Sequence, residues 1–152
     1  MFQNTIMIPA VHTCDYLHNH GVGFCELQWF QKDPIAVGGT AFQMDGTPIV
    51  MKDPTHSPSF VVARDVIHTA VRSGRSYGCP VVGEGNVTLK VMQKNVTTLS
   101  IRWQDGYIML VDRDVVSRWI DETYTIVGAN AEDKIIDIDA ILTKILAQGE
   151  QK

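Results

Sequence analysis

The chain has 152 residues, 45% of them apolar and 20% charged, with a formal net charge of -4; this predicts a single soluble domain with a core of its own. No apolar run approaches the roughly 18 residues needed to cross a bilayer, and MFQNTIMIPAV lacks the basic start and apolar stretch of a secretory leader. Collagen, coiled-coil and low-complexity architectures are excluded too, and an acidic chain is not drawn to nucleic acid by its overall field.

Gln3–Val11 opens the chain as a strand, with Pro9 near its end. Phe24–Phe30 alternates strictly: Phe24, Glu26, Gln28 and Phe30 share one side, and Cys25, Leu27 and Trp29 share the other. Ile35–Met44 is a further strand, in which Gly38–Gly39 predicts a bulge or bend. Asp45-Gly46 signals a hairpin turn, after which Ile49–Met51 reads as a short strand and Pro58–Ala63 as another. The period changes at Ala63–Gly74, where Val66, Ile67, Ala70 and Val71 mark one helical face.

Ser76–Gly85 is a Gly-rich connector without the lysine and following helix of a phosphate loop. Three strands follow, at Asn86–Met92, Thr97–Trp103 and Tyr107–Val111, the last two joined by an Asp-Gly hairpin. Asp112 caps a helix whose buried face is Val115, Val116, Trp119, Ile120 and Thr123. A last helix is expected from about Asp137 to Gln148, on the apolar stripe Ile138, Ile141, Leu142, Ile145 and Leu146. The whole predicts one α+β domain over residues 1–148, with an antiparallel β-sheet, one helix between two strand sets and two C-terminal helices, and a disordered tail at 149–152.

Several segments in order resemble the SsgA-like family of actinobacterial sporulation and cell-division regulators. They are DPIAVGGTAF (Asp33–Phe42), FVVARDVIHTAVRSG (Phe60–Gly74), GEGNVTLKV (Gly83–Val91), QDGYIMLVDRDVVSRWIDETYTIV (Gln104–Val127) and IDIDAILTKIL (Ile136–Leu146). The chain departs from the family at WFQKD (Trp29–Asp33), which stands where a tyrosine precedes the DP motif, and at SFVV, which lacks a tryptophan. The resemblance implies a whirly-like sheet, a homotrimeric habit, no enzymatic activity and no cofactor. It also implies an adaptor role at the septum, with the tubulin-like division protein FtsZ as partner.

Four candidate sites emerge from the residues. His12, Cys14, His18, His20 and Cys25 are ligand types, but their spacing fits no standard zinc module, and a solvated loop is the simpler reading. Asp65 and His68 lie three apart on one helix, with no nucleophile elbow to serve. Lys90, Lys94 and Arg102 lie in a segment (64–111) of net charge +3, six basic against three acidic residues, which offers a patch for single-stranded nucleic acid as the alternative function. The low aromatic content and the alternation that turns Arg102 away from Trp103 argue against it. The fourth is a partner surface of apolar residues in excess of what the helices can cover, around Phe42, Val50 and Phe60, with Phe60 also a candidate for the core. The three cysteines are an odd number without CxxC spacing, as suits a reducing, cytoplasmic setting.

Overall fold

The structure, a computed structural model, describes residues 3–12, 21–53, 55, 57–73, 77–80, 86–92, 97–104 and 106–129. It is built as two successive units of four strands and a helix. The first comprises β1 (Gln3–His12), β2 (Gly23–Phe30), β3 (Asp33–Gln43), β4 (Ser59–Ala63) and α1 (Arg64–Ser73). The second comprises β5 (Tyr77–Pro80), β6 (Asn86–Val91), β7 (Thr98–Trp103), β8 (Ile108–Asp112) and α2 (Arg113–Ile126). Each set of strands is an antiparallel meander, and β1 pairs with β8 to join them into one sheet of order β4-β3-β2-β1-β8-β7-β6-β5. The α+β class with its antiparallel sheet and intervening helix is therefore as the sequence pattern predicts. The last helix and the tail lie outside the described residues.

Alternation assigns the two sheet faces. Inward residues Ile8, Ala10, Cys25, Leu27, Trp29, Val37, Phe60, Val62, Val87, Leu89, Leu99, Ile101, Met109 and Val111 are all buried, which is the period-2 signature of a sheet with one covered face. Against this face lie Ile67, Ala70 and Val71 of α1 and Val116, Trp119 and Ile120 of α2. The sheet curls around the core. Phe60 on β4 meets Trp103 on β7 edge-on, with ring centroids 5.4 Å apart, although four strands separate them in the sheet order. Trp103 in turn lies 4.9 Å from Tyr107.

The Asp-Gly turns form as expected. Gly46 and Gly106 have φ of 86° and 95°, a region closed to most side chains. Asp45 Oδ1 accepts from the Thr47 backbone N–H at 2.9 Å and its hydroxyl at 2.6 Å, and the hydroxyl bond leads in holding that carboxyl below its usual range. Asp112 caps α2 by accepting from the backbone N–H groups of Asp114 and Val115 at 2.8 and 3.2 Å.

Three local expectations are corrected. Gly38–Gly39 is not a bulge, because β3 pairs continuously there with Gln28 and Leu27 and the register shifts instead at Trp29/Phe30. Gly39 serves packing: a Cβ there would lie 2.2 Å from Phe60 Cζ, so only glycine leaves room for the ring. Ile49–Met51 forms no ladder strand. It is anchored by the Ile49 N–H donating to Ala41 O at 3.0 Å, with Ile49 and Met51 turned into the core. Conversely, the Gly-rich connector contributes β5, paired with β6 from Tyr77↔Leu89 to Pro80↔Asn86.

Both helices begin with Arg-Asp-Val directly after a strand, and each leading arginine closes the end of the other helix. Arg64, fully buried, donates from Nη1 to the carbonyls of Thr123 and Val127 at 3.0 and 2.7 Å. Its guanidinium lies 3.9 Å from the Tyr124 ring centroid and 5.6 Å from that of Trp29. Arg113 Nε donates to Val71 O, in the last turn of α1, at 2.6 Å. A cation satisfies carbonyls that a helix C-terminus leaves unpaired and complements its dipole. The exchange thus locks the two units together.

Candidate interaction surface

The outward residues of the same strands make the second face, which the described helices do not cover. On β1, β2 and β3 it presents Met7 (50% exposed), Val11 (47%) and Phe30 (41%), with Phe24 and Phe42 half-buried and directly paired across β2–β3. Val22 and Met44 continue it at the strand ends. Glu26, Gln28 and Thr40 stand among these residues on the same face, so the apolar side chains have polar neighbours, as at the interfaces of interaction proteins.

Toward the other unit the surface changes character. Cross-strand pairing sets Lys90, Ser100, Leu110 and Val11 in one row across β6, β7, β8 and β1, and Thr88, Arg102 and Ile108 in the next. Thr88, Lys90, Met92, Ser100, Arg102, Ile108 and Leu110 line an open groove of about 350 Å³. Lys90 and Arg102 are exposed, whereas Ser100 is buried, at 8%. Neither cation forms an ion pair among the described residues.

The partner-surface residues expected from sequence separate. Val50 is exposed and Phe42 half-buried. Phe60 is 1% exposed, wedged between Gly39 and Trp103, so the expectation that it forms a partner surface is corrected: β4 turns this side chain to the inner face. Of the basic trio, Lys90 and Arg102 share the groove, while Lys94 lies outside the described residues. Trp103 and Tyr107 are on the opposite, inner side, so this groove has no stacking aromatic among the described residues.

The ligand-type cluster fares differently. Cys14, His18 and His20 lie outside the described residues. His12 is 3% exposed, and its Nδ1 bonds the Tyr107 hydroxyl at 2.5 Å; burial lowers its pKa. The Cys25 thiol is buried and pushed up to about 12 by desolvation, with the nearby Glu26 charge adding to it, which makes it a poor nucleophile. No group of three or more His, Cys, Asp or Glu side chains with metal-binding geometry occurs among the described residues. His68 does not act with Asp65. Its Nε2 accepts from Arg72 Nε at 2.8 Å, and Arg72 bridges on to Asp121 at 2.8 Å.

Two solved structures match this architecture over nearly its whole length. One is an SsgA-like sporulation-specific cell division protein from Thermobifida fusca, with a TM-score of 0.63 and 19% identity, covering 94% of both chains. The other is from work linking mutations in SsgB to longitudinal cell division during sporulation of Streptomyces coelicolor, with a TM-score of 0.62 and 14% identity, covering 89% of this chain and 96% of the other. The chain has the SsgA-like fold. No protein-family model and no curated protein matches the sequence, which fits a likeness carried by backbone rather than by residue identity.

Within the SsgA-like fold, sequence reasoning missed two features. The reciprocal arginines were signalled by the repeated Arg-Asp-Val at Arg64 and Arg113. The groove was signalled by Tyr107–Val111, a strand apolar on both faces. Such a strand implies that its outer side is also partly covered or used.

Proposed function

We propose that this chain is a non-enzymatic interaction protein of cell division, an adaptor that helps place the septum in a sporulating bacterium. The fold-wide likeness to two proteins tied to sporulation and division carries the reading. The sheet face that the described helices leave uncovered supplies what an adaptor needs, apolar side chains with polar neighbours rather than a cleft of acids and bases. No helix among the described residues is long and apolar enough to cross a membrane, and we place the protein in the cytoplasm. Its partners in this reading are the tubulin-like protein FtsZ and further copies of itself, assembled as a homotrimer around the apolar outer strands near Phe42 and Val50.

Co-sedimentation with FtsZ polymers tests the reading. The purified chain is expected to enter the pellet only when polymers form, and recovery wholly in the supernatant counts against it. Light scattering at micromolar concentration is expected to give the mass of a trimer. A monomer would remove the self-association.

A further inference from the structure

We propose that the β6–β7–β8 groove is the docking site for a short acidic, aliphatic peptide segment of a partner protein. This rests on the interaction-protein reading for its class of partner, and it adds the place and the chemistry.

The chain is net negative, yet the groove presents two cations, Lys90 and Arg102, that no described carboxylate pairs. They project from neighbouring strands on one face, Lys90 opposite Ser100 and Arg102 opposite Thr88. Two cations flanked by two hydroxyls are complementary to carboxylates, and Arg102 can hold one through two parallel hydrogen bonds. The remaining wall is aliphatic. Met92, Ile108 and Leu110 line the groove, and Val11 extends the row onto β1. A ligand that satisfied only the charges would leave this wall wet. One that alternates acidic with branched aliphatic residues satisfies both.

Nucleic acid fits less well. Single strands are held by bases stacking on aromatic rings, but Trp103 and Tyr107 are 5% and 0% exposed on the other side of the sheet. Two cations also supply little of the phosphate neutralisation on which such binding depends.

The test uses the intact chain and a fluorescein-labelled peptide alternating aspartate with leucine and isoleucine, read by anisotropy. Saturable micromolar binding is expected, weakened by salt and lost by about tenfold or more in the Lys90→Glu/Arg102→Glu variant. Both side chains are exposed, so the variant should fold, and an unchanged circular dichroism melt verifies it. A second variant, Ile108→Thr, should weaken binding without changing its salt dependence. The proposal is overturned by no binding of the acidic peptide, by equal binding of a lysine-for-aspartate peptide, or by tighter binding of an oligothymidine strand. A change of oligomeric state in the charge-reversed variant also overturns it, since the groove would then be a contact between copies. Failure to sediment with FtsZ while the peptide still binds would sink the division reading and leave the groove intact.

Discussion

The two four-strand units share one plan and differ in what they do with it. Each meander buries alternate residues and ends in a strand that runs into an Arg-Asp-Val helix. In the first unit the leading arginine, Arg64, is fully enclosed, bonded to two carbonyls and stacked on Tyr124. In the second, Arg113 is half-buried and reaches Val71 O. The inner faces are alike in composition, whereas the outer faces are not: aromatic with two carboxylates, Glu26 and Asp33, on β2 and β3; cationic and aliphatic in the groove on β6, β7 and β8. The fold is therefore specified by what the units have in common, and their outer surfaces are set apart by what they do not.

Substitutions should affect the inner face, the arginine junctions and the outer face to different degrees. The largest loss is expected on the inner face, where Phe60→Ala should cost about 3–5 kcal/mol in urea unfolding because the ring fills the space above Gly39. A near-neutral result would mean that the inner face does not carry the fold. Next come the arginines. Arg64→Met should cost about 3 kcal/mol or more, from two charge-assisted hydrogen bonds at about 1.5–3 kcal/mol each, and Arg113→Met about half as much. Equal losses would show the two junctions to be energetically equivalent in spite of their burial.

A pH dependence sharpens the same contrast. The Cys25 thiol has its folded pKa raised from 9.0 to about 12. Below pH 9 it is protonated in both states and stability is unaffected. Between 9 and 12 the unfolded chain loses this proton while the folded chain keeps it, so stability falls. Cys25→Ala should remove that part of the alkaline slope in melting temperature; an unchanged slope excludes the thiol as its source. The smallest effects belong to the outer face. Met7→Ser and Val11→Ser, both about half exposed, should change stability by no more than about 0.5 kcal/mol. A larger loss would place Met7 and Val11 inside the self-association contact proposed near Phe42 and Val50.

How much of this was legible in the sequence follows from the range of the forces involved. Local chemistry was readable: the Asp-Gly turns at Gly46 and Gly106, the Asp112 cap, and the helical faces at Ile67–Val71 and Val116–Thr123. What depended on distant partners was not. Gly39 looks like a bulge until Phe60 is known to lie over it, and Phe60, a candidate for surface and core alike, becomes a core residue once β4 is placed in register with β3. Ile49–Met51 has strand composition but finds no ladder partner, because β4 occupies the β3 edge through Thr40↔Ser59. The β5 strand has weak propensity and exists through pairing with β6. The groove needed three strands in order before Lys90 and Arg102 could be seen to share one wall with Leu110.

The pairing of β1 with β8 has a consequence for how the chain folds. Ala10, Val11 and His12 meet Val111, Leu110 and Met109, so the seam joins residues from nearly opposite ends of the described chain. On the ribosome, the β1 edge near Ala10–His12 stays without that neighbour until the whole second meander has emerged. Contacts so distant in sequence delay folding, because a long loop must close before they form. Until then an unpaired edge is open to strands of other molecules. The same seam offers an orderly version of that exchange: two copies that trade their second units would rebuild every strand pair, with only the segment between α1 and β5 rerouted. Refolding at rising concentration is where such a swapped dimer would be seen, as a slowly dissociating species of doubled mass with an unaltered circular dichroism spectrum.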